Sequence, residues 1–135
     1  MARIHKTKDK IKVKVDDIWV KISPLSFEQK CEVQTQLITG NAMDIVRAAR
    51  MALKFAIKEI GGVEDSEGNP YELEVENNEL TDECVDDLLN LEQNEKLSIL
   101  CTTLLHGVPK QLMDPNTGEK MQGVTIERGP SRKKK

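Results

Sequence analysis

Aromatic residues are scarce in this chain, which has one Trp, one Tyr and two Phe among 135 residues. A core must therefore be built from Leu, Ile, Val, Ala and Met, which favours helices packed on a small sheet. No apolar run approaches the length that spans a bilayer, and the basic N-terminus leads into no apolar signal-peptide core. We therefore expect one domain, no membrane contact, and action in the cytoplasm of the cell that makes the protein.

Cysteine and histidine are also few. Cys31, Cys84 and Cys101 are odd in number and lack metal-ligand spacing, so we expect reduced structural thiols. His5 and His106 have no oriented partners of the kind that catalysis needs. Carboxylates at positions 82, 83, 86 and 87 fit a solvated helix face better than a metal or acid–base site. The sequence therefore predicts no enzyme, no cofactor and no metal site.

Charge is unevenly distributed along the chain. Residues 1–60 hold 12 basic and 7 acidic side chains, residues 61–108 hold 1 and 13, and residues 109–135 hold 7 and 3. A chain divided in this way has two faces or ends of opposite sign, which suits head-to-tail self-association or a protein partner better than a bulk polyanion.

The stretch "IKVKVDDIWVKI" at residues 11–22 predicts a β-hairpin that turns at Asp16 and Asp17. In that register the six aliphatic residues share one face. The other face places Lys12 opposite Lys21, and Lys14 opposite Trp19, where a cation can lie over the indole ring.

Four helices are predicted after the hairpin. Ser26 and Gln29 form a capping-box pattern for a helix that begins near Phe27 and ends at Gly40. Asn41 caps an amphipathic helix over residues 42–60, which Gly61 and Gly62 end, and its Ala-rich surface is an alternative oligomer interface. A loop over 63–80 contains a short extended piece. Thr81 caps a third helix, and a last one spans 92–106.

We predict an α+β fold that is mostly α: a flexible basic lead-in at 1–10, a single hairpin-plus-helices domain at 11–108, and a basic tail at 109–135. The tail is expected to be weakly structured or disordered, although "DPNTGE" can form the turn of a weak hairpin.

Nucleic-acid binding is the rival to a protein-binding role. Basic residues could line a ribbon with Trp19 available for stacking, namely Arg3, Lys6, Lys8, Lys10, Lys12, Lys14 and Lys21. A single aromatic residue offers little surface on which bases can stack, however, and lysines on an amphipathic hairpin usually face solvent. The sequence therefore favours a protein partner.

The order of the parts resembles the tail-assembly chaperones of long-tailed, siphophage-type bacteriophages. The resemblance rests on a basic hairpin entering "ISPLSF" at residues 22–27, an acidic "GGVEDSEGNPYELE" loop, a "LTDECVDDLL" helix and a final leucine-rich helix. It implies a non-enzymatic protein of the host cell cytoplasm that binds the tape-measure protein, helps recruit tail-tube subunits and is absent from the virion. A minor structural protein of the phage neck or tail is the alternative.

The resemblance also implies a longer frameshifted form, with which the lysine codons of "SRKKK" are compatible. The expected partner-binding residues lie on the basic hairpin face and on the helices at 42–60 and 92–106: Trp19, Lys12, Lys14, Lys21, Ala49, Leu53, Ala56, Leu100 and Leu104.

Overall fold

A computed structural model describes residues 4, 6, 8–38 and 41–127 of the chain. The sequence predictions for Arg3, His5, Gly40 and the basic end at 128–135 lie outside the described residues. In chain order the elements are β1 (Ile11–Val15), β2 (Ile18–Ile22), α1 (Phe27–Leu37), α2 (Ala42–Ala56), β3 (Ile57–Gly61), β4 (Val75–Glu76), β5 (Glu79–Leu80), α3 (Asp82–Leu88), α4 (Asn94–Thr103) and β6 (Val124–Ile126). The fold is α+β, as predicted.

The predicted hairpin and its register are confirmed. Strands β1 and β2 pair antiparallel with Ile11 opposite Ile22, Val13 opposite Val20 and Lys14 opposite Trp19. The aliphatic side chains of the shared inner face are all buried: Ile11, Val13, Val15, Ile18, Val20 and Ile22. Period-two alternation thus places one apolar face against the helices and leaves the lysines on the outer face.

Three of the four predicted helix starts are confirmed, whereas the last helix, α4, begins at Asn94 instead of residue 92. Ser26 and Gln29 form the capping box of α1, and the side chain of Asn41 accepts a hydrogen bond from the backbone N–H of Asp44 at the start of α2. Thr81 caps α3 in the same way, through the backbone N–H of Cys84. These side chains satisfy amide groups that have no partner within the first turn of a helix.

The predicted end of the second helix is wrong. Helix α2 ends at Ala56, and the next five residues form β3, which pairs antiparallel with β2. Ile57 and Ile60 are three residues apart, a helical spacing, and in a regular strand they would point to opposite faces, so the spacing of apolar residues favoured a helix. Pairing decides the outcome, because β3 supplies partners for backbone groups of β2 that would otherwise form an open sheet edge.

The predicted domain boundary at residue 108 is also wrong. Strand β6 pairs antiparallel with β1, with Val124 opposite Val15, so the four-stranded sheet has the order β3-β2-β1-β6. Leu112 and Met121 are buried with Val124 in the same core. The suggested hairpin around "DPNTGE" is present as a bridge between Met113 and Lys120. Residues 112–126 therefore belong to the domain, because β6 continues the sheet at β1 and the buried side chains of this segment pack in the same core.

The helices cover the inner face of the sheet as a second layer. Helix α2 packs against both α1 and α4. Buried apolar side chains from the helices and the sheet form one continuous core. The acidic face of α3 lies beside α2, where Arg50 forms an ion pair with Asp86 and Lys54 forms one with Asp82 at 3.3 Å.

The turn of the hairpin is held by two other elements. The Asp16 carboxylate accepts a hydrogen bond from Lys96 Nζ of α4 at 2.8 Å, and the same ammonium group donates to the carbonyl oxygen of Gln122 at 2.9 Å. Gln93 donates to the Asp17 carboxylate at 3.1 Å. Gly123 lies so close to the Asp16 carboxylate that a Cβ at this position would meet Oδ1 at 2.2 Å. The turn thus joins the sheet, α4 and the segment leading to β6.

Strand β6 provides a direct test of this arrangement. Val124→Asp places a carboxylate in the core and should lower the free energy of unfolding by about 3 kcal/mol or more. Thr125→Asp, the matched control, adds the same group on the exposed face opposite Lys14 and should change it by less than about 1 kcal/mol. Urea denaturation of the two variants measures both values. Equal, small effects would show that β6 is not part of the folded core.

Candidate functional site

The outer face of the hairpin carries four of the predicted partner-binding residues. Lys14 is exposed, whereas Lys12, Trp19 and Lys21 are half-buried. The ammonium group of Lys12 lies 4.9 Å from the centre of the Trp19 ring. The sequence had predicted Lys14, the residue directly opposite Trp19, for this contact. The diagonal neighbour makes it instead, since long side chains on adjacent strands reach each other across this distance.

Most of this face is occupied by its own contacts. The Trp19 ring lies across Gly61 of β3, where a Cβ would meet the indole at 2.2 Å. The Glu59 carboxylate forms ion pairs with the ammonium groups of Lys10, at 3.0 Å, and of Lys21, at 3.8 Å. The hydrogen bond from Lys10 is the main cause of the lowered pKa of the Glu59 carboxyl group. A ligand on this face would have to displace these internal contacts.

The predicted partner-binding residues on the helices divide into two groups. Leu53, Ala56, Leu100 and Leu104 are at most 1% exposed, so they belong to the core and are not available to a partner. Ala49 is half-buried and lines an open groove. The prediction is therefore wrong for the four core residues, because their side chains are packed inside the core that the helices share with the sheet.

The groove that contains Ala49 has a volume of about 490 Å³ and lies between α2 and α4. Its floor and walls are formed mainly by apolar side chains: Leu37, Ile45, Ala49, Ile99, Leu105 and Pro115. Ser98, Thr102, Thr103 and His106 complete the lining. Among the described lining residues there is no Asp, Glu, Lys or Arg, so the groove offers no charge to a ligand.

The threonines of the groove do not make it more polar. The Thr102 hydroxyl donates to the carbonyl oxygen of Ser98, and that of Thr103 donates to Ile99, each at 2.7 Å. Both hydroxyl groups are therefore satisfied within α4 and need no polar partner from a ligand. The groove is suited to an apolar occupant.

Exposed apolar side chains continue beyond the groove, at the end of α1 and the start of α2. We call this set, Ile38, Met43, Ile45 and Val46, the apolar corner. Their exposed fractions run from 51% for Ile45 to 80% for Ile38. Apolar residues exposed together in this way are typical of an interaction surface, because each exposed group costs free energy in water.

The sequence contains a pattern of apolar residues that corresponds to the apolar corner, although the same pattern also fits a buried helix face. The first turn of α2 reads "AMDIV", with apolar residues on more than one side of the helix. Ile45 and Val46 follow the three-and-four spacing of the apolar stripe of this helix, and Met43 lies on a different side. A helix start that is apolar on several sides indicates either complete burial or an exposed binding surface.

Comparisons with protein-family models, with curated proteins and with solved structures found no match. No cluster of three or more His, Cys, Asp or Glu side chains that could hold a metal ion is present in the part of the chain that the structure describes. None of the described helices is both long and apolar enough to cross a membrane.

A second, acidic cavity of about 330 Å³ lies between the loop at 63–71 and α3. On its wall the Tyr71 hydroxyl donates to the Asp87 carboxylate at 2.8 Å and lies 3.5 Å from Cys84 Sγ. Burial and these two neighbours raise the pKa of Tyr71 well above its ordinary value. These contacts attach the acidic loop to α3, so Tyr71 has a structural role here.

The buried thiol of Cys101 also has a raised pKa, because burial disfavours its charged form. Cys84 is buried, while Cys31 is exposed, and all three cysteines are free. Cys84 and Cys101 therefore fit the expected structural thiols by their burial, whereas Cys31 lies at the surface.

Tyr71 is the one tyrosine in the chain, so its ionisation can be followed by ultraviolet absorbance. In the folded protein it should remain protonated above a pH of about 10, where an ordinary tyrosine ionises. The unfolded chain ionises first, so this group's contribution to stability should be complete below that pH and fall as the pH rises further.

Asp87→Asn removes one of the charges that raise the pKa of Tyr71 and should shift its titration towards the ordinary value. Asp86→Asn is the control, since Asp86 forms an ion pair with Arg50. An unshifted titration of Asp87→Asn, or an equal shift in both variants, would contradict the assigned contact.

Proposed function

We propose that this protein is a non-enzymatic assembly chaperone that holds an apolar helix of a partner protein in the groove between α2 and α4. The groove carries the proposal, since its lining is mainly apolar and its described residues include no Asp, Glu, Lys or Arg, and Ile45 links it to the apolar corner. An amphipathic or apolar helix is the occupant that such a groove accommodates, with side chains three and four residues apart entering it.

Within that class we propose a role in the assembly of a bacteriophage tail. The partner would be the tape-measure protein, whose long apolar helices need cover before the tail tube surrounds them, and tail-tube subunits would be recruited to the complex. The order of hairpin, acidic loop and helices supports this assignment, together with the apolar character of the groove. The proposed site of action is the host cell cytoplasm.

The uncharged groove also favours a protein partner over nucleic acid. The basic face of the hairpin is the surface that nucleic acid would need, and there Glu59 already holds Lys10 and Lys21. Binding to nucleic acid would weaken steeply as salt is added, since phosphate contacts release counterions. Binding through the apolar groove would depend little on salt.

Co-expression with a tape-measure protein tests the proposal. We expect the wild-type chain to raise the soluble fraction of that protein and to co-purify with it. Unchanged solubility with no co-purifying complex would overturn the chaperone function. Mass spectrometry of purified virions addresses the structural alternative, because a chaperone should be missing from the particle and a neck or tail component should be present.

A pair of variants tests the site itself. Ile45→Ser removes an apolar side chain from the groove and should weaken the complex at least about tenfold, as expected when the burial of one large aliphatic side chain is lost. Val75→Ser is the matched control: Val75 is 52% exposed, against 51% for Ile45, but lies on β4 away from the groove. Calorimetric titration measures both affinities. Equal affinities for the two variants would place the partner elsewhere.

A further inference from the structure

A cavity of about 420 Å³ lies at the start of α1, away from the groove. It is bounded by Ser23, Pro24 and the capping residues of α1 on one side, and by Lys58 of β3 and Asn78 on the other. Lys8 and Lys10 line it from the segment before β1. Neither the proposed chaperone function nor the core of the fold uses this cavity.

The charged side chains that line the cavity are all basic. Among its described lining residues are Lys8, Lys10 and Lys58, and none is acidic. Two of these lysines interact with carboxylates: Lys10 forms an ion pair with Glu59 at 3.0 Å, and Lys58 interacts electrostatically with Glu79. Within the described part of the chain Lys8 forms no ion pair. The cavity therefore has an excess of positive charge.

Lys58 reaches the cavity because the backbone is irregular at this point. Lys21 pairs with Glu59, but the next residue, Ile22, pairs with Ile57, so Lys58 is the extra residue of a β-bulge. A bulge redirects the side chain of the extra residue, and bulges are frequent beside binding sites. The Lys58 ammonium group donates to the carbonyl oxygen of Asn78 at 2.9 Å, which holds it at the cavity wall.

Ser23 supplies a second, independent observation. It is the one buried polar residue of the described chain, at 4% exposed, and it lines the cavity. Its backbone N–H donates to Ala56 at 2.9 Å, but its hydroxyl group makes no hydrogen bond to any described residue. A buried hydroxyl without a partner costs free energy that a ligand could recover.

The start of α1 contributes the partial positive charge of its first-turn amide groups, in a turn that also carries the carboxylate of Glu28. Amide groups in the first turn of a helix give that end a partial positive charge, which favours anions. Burial lowers the pKa of Lys58, with Lys10 contributing and Glu79 opposing, and a bound anion would offset the cost of burying this ammonium group.

We propose that this cavity binds a phosphate group, with the ammonium groups of Lys8 and Lys58 and the hydroxyl group of Ser23 as its donors, while Lys10, which is paired with Glu59, adds positive charge beside it. A phosphate dianion matches several ammonium groups and offers acceptor oxygens to the hydroxyl, whereas a carboxylate carries a single charge. The group is either free phosphate or the terminal phosphate of a small monoester, for which the cavity has room.

Two-dimensional NMR of the full-length ¹⁵N-labelled chain tests the site, with inorganic phosphate and glycerol 3-phosphate titrated at constant ionic strength. We expect saturable shifts of the amide signals of Ser23, Ser26 and Lys58. Tighter binding of inorganic phosphate would identify the free ion as the ligand, and tighter binding of glycerol 3-phosphate would identify a monoester. The absence of saturable shifts with both, or equal affinity for acetate, would overturn the proposal.

Variants assign the donors. Lys58→Met and Ser23→Ala should each weaken binding about tenfold, as expected for the loss of a hydrogen bond to a charged group. Lys14→Met removes the same charge from the exposed hairpin face and should leave the affinity unchanged. An equal loss in Lys14→Met and Lys58→Met would show general attraction of anions, and full affinity in both Lys58→Met and Ser23→Ala would exclude the cavity. Amide spectra that match the wild type away from the cavity verify that each variant is folded.

Discussion

The inner face of the hairpin is a strip of six aliphatic side chains with no polar group among them, and it cannot remain in contact with water. Burying a strip of this kind provides the main driving force for the fold, since each large aliphatic residue contributes about 1.5–3 kcal/mol when it leaves water. Helices α2 and α4 cover the strip, and Val124 and Ile57 extend it on the two flanking strands. Because the chain has few large aromatic side chains, the core is filled by smaller aliphatic ones. Many of these, from both the helices and the sheet, must therefore pack together.

Local features of the fold could be predicted from the sequence, and long-range pairing could not. The hairpin register follows from period-two alternation, and three helix starts follow from Ser26, Asn41 and Thr81, since in each case the deciding residues are neighbours. The strand at 57–61 and the strand at 124–126 depend on partners that are distant in the chain. The three-residue spacing of Ile57 and Ile60 fits a helix better than a regular strand, and "VTI" is too short to indicate a strand without knowledge of the free edge of β1.

The same division applies to the candidate site. The spacing of Ala49, Leu53 and Ala56 identified a helix with an apolar stripe, but it could not separate residues that face the sheet from those that remain at the surface. That distinction depends on where α4 lies, which no local pattern records. The exposed residues at the start of α2 were missed for a related reason. Ile45 and Val46 follow the same apolar spacing, but no other element covers them fully, so they remain about half exposed. The position of Lys58 could not be predicted either, because the bulge that directs its side chain arises only when β3 pairs with β2.

Helix α2 passes directly into β3, with Ile57 serving both as the helix cap and as the first residue of the strand. A loop between the two elements would absorb movement, and this junction has none. The 15 residues of α2 form a rod of about 22 Å, with Met43 near one end and the sheet at the other. A force that acts on the exposed end of α2 is therefore transmitted along the helix as tension or torque. It must bend the helix or strain the hydrogen bonds between β2 and β3, so the exposed apolar residues at the start of α2 are mechanically connected to the central sheet.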